Sequence, residues 1–145
     1  MAKSAVLREV MITLRMAPEM EIEACEKASA VAESMSMSPD KIDEVKMAVI
    51  EACLNATEHS KAPRREIEMV FTVIGEREPE KLQITVRDSG VGFEVGKRGK
   101  SEQDATGKPP LSRRGWGLQI IEGLMDEVQI ESGSWGTTVV MSKTR

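Results

Sequence analysis

Residues 39–59, PDKIDEVKMAVIEACLNATEH, read as a helix with little surface to spare for water. Its start is well marked: Ser38 can cap, Pro39 fits the first turn, and Asp40 favours the positive end of the helix dipole. Ile42, Val45, Val49, Ala52 and Ala56 form one apolar stripe, and Met47, Ile50 and Leu54 form a second beside it. A helix apolar over so wide an arc is mostly buried, which calls for a layered domain around it. Yet Glu51 and Asn55 stand on it four residues apart, on one line of the helix, and buried polar groups need partners. An asparagine capping a nearby loop and a glutamate on a wet edge are the ordinary explanation. A pocket floored by this helix is the other.

The flanking segments supply the layers. From Glu9 to Met16 the chain alternates strictly, with Val10, Ile12, Leu14 and Met16 on one side and Met11, Thr13 and Arg15 on the other, which predicts a half-buried strand. Pro18 closes it, and EMEIEACEKASAVAESM continues as a first helix with Ile22, Cys25, Ala28 and Ala32 at helical spacing. After APRR breaks the second helix, Ile67, Met69, Phe71 and Val73 alternate, as do Leu82, Ile84 and Val86. The polar GEREPE between them predicts an antiparallel hairpin. Residues 94–114 keep no period and are rich in Gly, Pro and charge, so they read as a long loop. Leu118, Ile121, Met125 and Val128 then mark a third helix, and VQIESG and TTVVMSK form a second hairpin around SGSWG. The order β-α-α-β-β-loop-α-β-β predicts an α+β fold: a two-layer sandwich whose mixed, mostly antiparallel sheet is covered on one face by three helices.

At 145 residues the chain has the length of one domain, 1–145, with a full core. Aromatics are only 3% while Met numbers 10, so that core is aliphatic and thioether. A net charge of -4 argues against direct nucleic-acid binding, which normally needs a basic face. No apolar run is long enough for a signal peptide or a membrane span, so the expectation is a soluble, cytoplasmic protein with no membrane partner. Cys25 and Cys53 lie apart in Ala-rich helical segments and read as buried, reduced thiols. With His59 the single histidine, no metal cage is apparent, and a helix-end histidine interacting with the dipole is its simplest role.

Two further stretches look chemical. In VRDSGVGF, 86–93, a strand ends in Asp88 and runs into Gly90 and Gly92, so a carboxylate stands beside a tight, side-chain-free turn. Asp-Ser-Gly is also common turn chemistry. A carboxylate at the mouth of a pocket could equally accept a hydrogen bond from an exocyclic amine such as that of adenine. In SRRGWGLQII, 112–121, Gly115 and Gly117 open the third helix, whose N-terminal N–H groups suit phosphate, with Arg113 and Arg114 immediately before it. Alone, that glycine pair is weak evidence.

Taken in order, EACLN, DSGVGF and RRGWGL, followed by GTT at 136–138, resemble the N, G1 and G2 boxes of the GHKL superfamily of histidine-kinase-like ATPases. EACLNATEH and GLMDEVQI are most similar to bacterial anti-sigma-factor serine/threonine protein kinases. The resemblance implies ATP and Mg²⁺ as ligands, with Asn55 as the metal ligand and Glu51 as general base. It implies Asp88 as acceptor for the adenine amine, with Gly90 and Gly92 in the turn beside it and Thr137 assisting. It implies Arg114, Gly115, Gly117 and Leu118 at the phosphates, 94–114 as the ATP lid, and Arg113 near the terminal phosphate. Trp116 departs from the smaller aliphatic residue usual between those glycines. The implied partners are a STAS-domain anti-anti-sigma protein as phosphoacceptor, a sigma factor as the sequestered protein, and a second copy in a homodimer. A non-catalytic, nucleotide-dependent switch would need the same pocket. A detached sensor histidine kinase domain lacks support, since no dimerisation helix with a phosphoacceptor histidine is in view, and for a plain hydrolase there is no water-positioning group beyond Glu51.

Overall fold

The computed structural model describes residues 5–17, 19–59, 66–88, 113–133 and 136–145, apart from the side chains of 57–59, 113–117, 132 and 133. The elements are β1 (Ala5–Arg15), α1 (Met20–Ser34), α2 (Pro39–His59), β2 (Glu66–Gly75), β3 (Pro79–Asp88), α3 (Arg113–Leu124), β4 (Glu127–Gly133) and β5 (Gly136–Thr144). The strands form one sheet in the order β1-β2-β3-β5-β4. All four pairings are antiparallel, so among the described residues the sheet holds no parallel pair.

Period-two patterning decides the faces. Leu14, Ile67, Met69, Phe71, Val73, Leu82, Ile84, Val86, Val139 and Met141 are all buried on the helix side of the sheet. Strand register stacks them in rows: Phe71 opposite Ile84, Ile84 opposite Met141, and Val86 opposite Val139. Each large side chain so buried contributes about 1.5–3 kcal/mol of transfer free energy. Above them α1 packs on α2 and α2 on α3, while α2 also reaches β3 and β5. Val45, Ala48, Val49, Ala52 and Cys53 turn the apolar face of α2 inward.

Local signals behave as their chemistry requires. Lys41 donates its backbone N–H to Ser38 Oγ at 3.3 Å, the expected cap of α2. Gly75 ends β2 where an added Cβ would strike the Glu78 carbonyl, so the hairpin turn needs a residue without one.

Three expectations are corrected. Ile22 and Met47, expected on buried stripes, are each 52% exposed. Ile22 lines an open groove between α1 and α2 together with Glu21, Cys25, Glu26, Ser29, Lys46 and Ile50. In α1 the buried set is Met20, Ala24, Ala28, Val31 and Ala32. Val128 lies in β4 and not in the third helix, which ends at Leu124. Arg113 and Arg114 are the first residues of α3 and so do not precede it. Helix ends drawn from sequence carry an uncertainty of this size. Both cysteines are reduced thiols, Cys53 buried and Cys25 half-buried, and Cys25 Sγ donates to the Lys46 carbonyl at 3.6 Å. Among the described residues no helix is long and apolar enough to cross a membrane.

Candidate functional site

The second half of α2, the end of β3 and the start of β5 converge. Asp88 closes β3 directly opposite Thr137 in the β3–β5 register, and both side chains are buried. Alternation along β3 places Asp88 on the same face as Val86 and Ile84, so a carboxylate follows two core residues into the interface with the helices. Across from them, Ala52, Asn55 and Ala56 on α2 complete a pocket with Val86, Asp88, Thr137 and Val139. The alanines matter by what they omit. With short side chains at 52 and 56 the helix leaves a slot between itself and the sheet, walled by valines and closed by a carboxylate and a hydroxyl. Such a slot suits a flat, largely apolar ring bearing an amine donor.

Glu51 and Asn55 are 7% and 5% exposed, so the wet-edge explanation for the glutamate does not hold. They sit one turn apart, about 5.4 Å along the axis of α2. Asn55 lines the pocket, while Glu51 lies one turn back from it. Asn55 Oδ1 is buried without a hydrogen-bond partner among the described residues. A neutral, hard, preorganised oxygen at a pocket wall fits Mg²⁺, which takes one or two protein oxygens and fills its octahedron with phosphate oxygens and water. Among the described residues no group of three or more His, Cys, Asp or Glu is poised to hold a metal.

The backbone of α3 begins at Arg113 and includes Gly115 and Gly117, with no acidic residue in its first turn to compete for an anion. Leu118 is buried, packing that end of α3 into the core. Gly90, Gly92 and the expected lid up to residue 112 lie outside the described residues, as do the side chains of Arg113, Arg114 and Trp116. The structure therefore brings together Asn55, Asp88 and Thr137, with Glu51 adjoining. It adds Ala52, Ala56 and Val86, which sequence reasoning placed only on apolar faces, and Val139, which it read only as part of the last hairpin. Their signal was available in Ala52 and Ala56 flanking Asn55 on α2, and in Val86 and Val139 sharing strand faces with Asp88 and Thr137.

A family model described as the histidine kinase-like ATPase domain matches residues 14–143. The chain belongs to the histidine kinase-like ATPase family. An ATPase domain of this family implies ATP binding. Among its relatives, the serine-protein kinase RsbW of Bacillus subtilis is 36% identical over 123 residues, covering 79% of this chain and 72% of that protein. The anti-sigma F factor of Clostridium acetobutylicum is 34% identical over 116 residues, covering 79% and 78% respectively. A crystal structure of the RsbU and RsbW domains of a Mycobacterium tuberculosis protein superposes with a TM-score of 0.68 at 20% identity, over 95% of this chain and 33% of that one. The histidine kinase domain of an Erythrobacter litoralis blue-light-activated kinase superposes with a TM-score of 0.52 at 19% identity, over 85% and 59%. These two likenesses concern the fold.

Proposed function

We infer that this histidine kinase-like ATPase is an anti-sigma regulatory serine/threonine protein kinase. It binds ATP with Mg²⁺, phosphorylates a STAS-domain anti-anti-sigma partner and otherwise sequesters a sigma factor, in partner-switching regulation in the cytoplasm. The observation that carries this reading is the pair Glu51 and Asn55, both buried on α2 and one turn apart, beside a slot ended by Asp88 and Thr137. Phosphoryl transfer asks a protein chiefly for positioning and charge neutralisation. Mg²⁺, when bound with ATP, would supply that neutralisation. Asn55 would hold the ion, Asp88 would accept from the adenine amine, and Thr137 would assist. The first turn of α3, with Arg113 and Arg114, would meet the phosphates, and Glu51 would take the proton from the attacking hydroxyl.

The deciding experiment is transfer from labelled ATP with Mg²⁺ to candidate STAS-domain proteins, beside Glu51→Gln and Asn55→Ala. Label on a partner serine or threonine that both variants lose supports the kinase. Tight ATP binding with no transfer to any candidate would point to a nucleotide-gated binding module. A homodimer has a candidate surface in β1, which among the described residues pairs only with β2 and exposes Val6, Leu7 and Met11. Met11→Lys should then shift the chain towards monomer in sedimentation, and an unchanged mass would remove β1 from consideration.

A further inference from the structure

The helix-facing side of β5 is polar at both ends. Thr137 belongs to the pocket, but at the other end the same alternation brings a lysine, Lys143, opposite Leu82 on the core face. Lys143 is 6% exposed. A buried ammonium on a core face must be fully engaged to be tolerated. Its Nζ donates to the Leu124 carbonyl at 2.6 Å, at the C-terminal end of α3, and pairs with Glu44 Oε2 at 3.4 Å on α2. One side chain on the sheet thus grips both helices that shape the proposed nucleotide site. The positive charge at a helix C-terminus also satisfies a terminal carbonyl and opposes the dipole favourably.

The positions of the two contacts along their helices give the grip its use. Glu44, Ala48, Glu51 and Asn55 fall at i, i+4, i+7 and i+11, a single face of α2, so the face anchored by Lys143 carries Glu51 about 10 Å and Asn55 about 17 Å further on. α3 is twelve residues long, about 18 Å, and its opposite end bears Gly115 and Gly117. The two helices pack along each other. Neighbouring bonds fix the frame around the lysine: Asp126 Oδ2 accepts the Thr144 N–H at 2.6 Å, and Asp126 donates its N–H to the Ser142 carbonyl at 2.9 Å.

We propose that Lys143, by tying the C-terminal end of α3 to Glu44 of α2, is a positioning residue that sets the phosphate-facing end of α3 relative to Asn55. The proposal rests on the nucleotide-site assignment above. It places no group of Lys143 on substrate; the lysine acts through the two helices.

The test measures ATP affinity with Mg²⁺, adenosine affinity and phosphotransfer for Lys143→Met, Lys143→Arg and Glu44→Gln, with Asn55→Ala as reference. Positioning predicts that Lys143→Met weakens ATP binding and transfer by about tenfold or more while adenosine binding holds, because only the phosphate grip is displaced. Lys143→Arg should recover most of the loss. A merely structural role would lower the folded fraction and leave the ratio of ATP to adenosine affinity untouched, and that unchanged ratio would overturn the proposal. Should Lys143→Met fail to fold, Glu44→Gln, at a partly exposed position, provides the same ratio from the helix side: a several-fold fall supports positioning and no fall refutes it. If Asn55→Ala keeps full transfer, the site assignment itself is wrong, an outcome distinct from an inert Lys143.

Discussion

Asn55 joins two properties that normally conflict, burial and an oxygen with no partner among the described residues. Such an atom costs the fold about 1–3 kcal/mol. Asn55→Ala is therefore expected to leave nucleotide-free stability within about 1 kcal/mol of the parent, while phosphotransfer falls by about a hundredfold or more. Urea unfolding beside the kinase assay checks both, and a large loss of stability would mark Asn55 as a structural residue. Cys53 makes the opposite case. Burial pushes its thiol up to about 12, with Cys25 and Glu21 adding smaller electrostatic contributions in the same direction. The folded state therefore keeps a proton that the unfolded chain releases near 9.0. That contribution to stability is whole below pH 9 and is lost between there and about 12. Unfolding free energies measured at rising alkaline pH should fall more steeply for the parent than for Cys53→Ala, by up to about 1.4 kcal/mol per pH unit. Equal slopes would contradict the burial argument. Glu51, Asn55 and Asp88 are legible in the sequence because polar residues break apolar patterns. Lys143 breaks one too, at a core-facing register of β5, but a charge near a strand end is ordinarily read as solvated. Only its bonds to Leu124 and Glu44 distinguish it.

Strands β2, β3 and β5 and the helix α2 follow directly from period and capping, because each has one strongly apolar face against the core. α1 is harder to read. Its buried positions are mostly alanines, Ala24, Ala28 and Ala32, which mark no face by hydrophobicity alone, and Ile22 advertises a burial it does not have. Small residues bring α1 close to α2 along one line, and a groove of about 300 Å³ opens beside it, where Ile22 stays wet. The boundary of α3 is likewise illegible, since two arginines and two glycines specify neither a loop nor a helix. α2 offers the cleanest test of an element. Ser38→Ala removes an exposed cap of 3.3 Å and should cost about 0.5–1 kcal/mol in thermal unfolding, with no change in ATP affinity, because the cap lies at the far end of α2 from Asn55. A loss of affinity would mean that α2 transmits strain along its length.

The layers are joined by β5, which pairs with β3 and β4, lies beneath α2 and supplies Thr137 and Val139 to the pocket. Ligand binding should therefore stabilise the fold as one unit. At about 100 times its Kd, ATP should add about 2.7 kcal/mol, a rise in Tm of roughly 5–10 °C for a domain of this length. The same dose should barely move Asn55→Ala, and differential scanning fluorimetry would reveal any discrepancy. The pocket's walls also come from three stretches distant along the chain, α2, β3 and β5. During translation, Ala52 and Asn55 are made early, Asp88 later, and Thr137 and Val139 only once β5 has left the ribosome. A nascent chain thus has no complete pocket of the kind proposed to hold ATP. On the proposed assignment, ATP would protect the finished protein from proteases but would not rescue a stalled or truncated one that lacks β5.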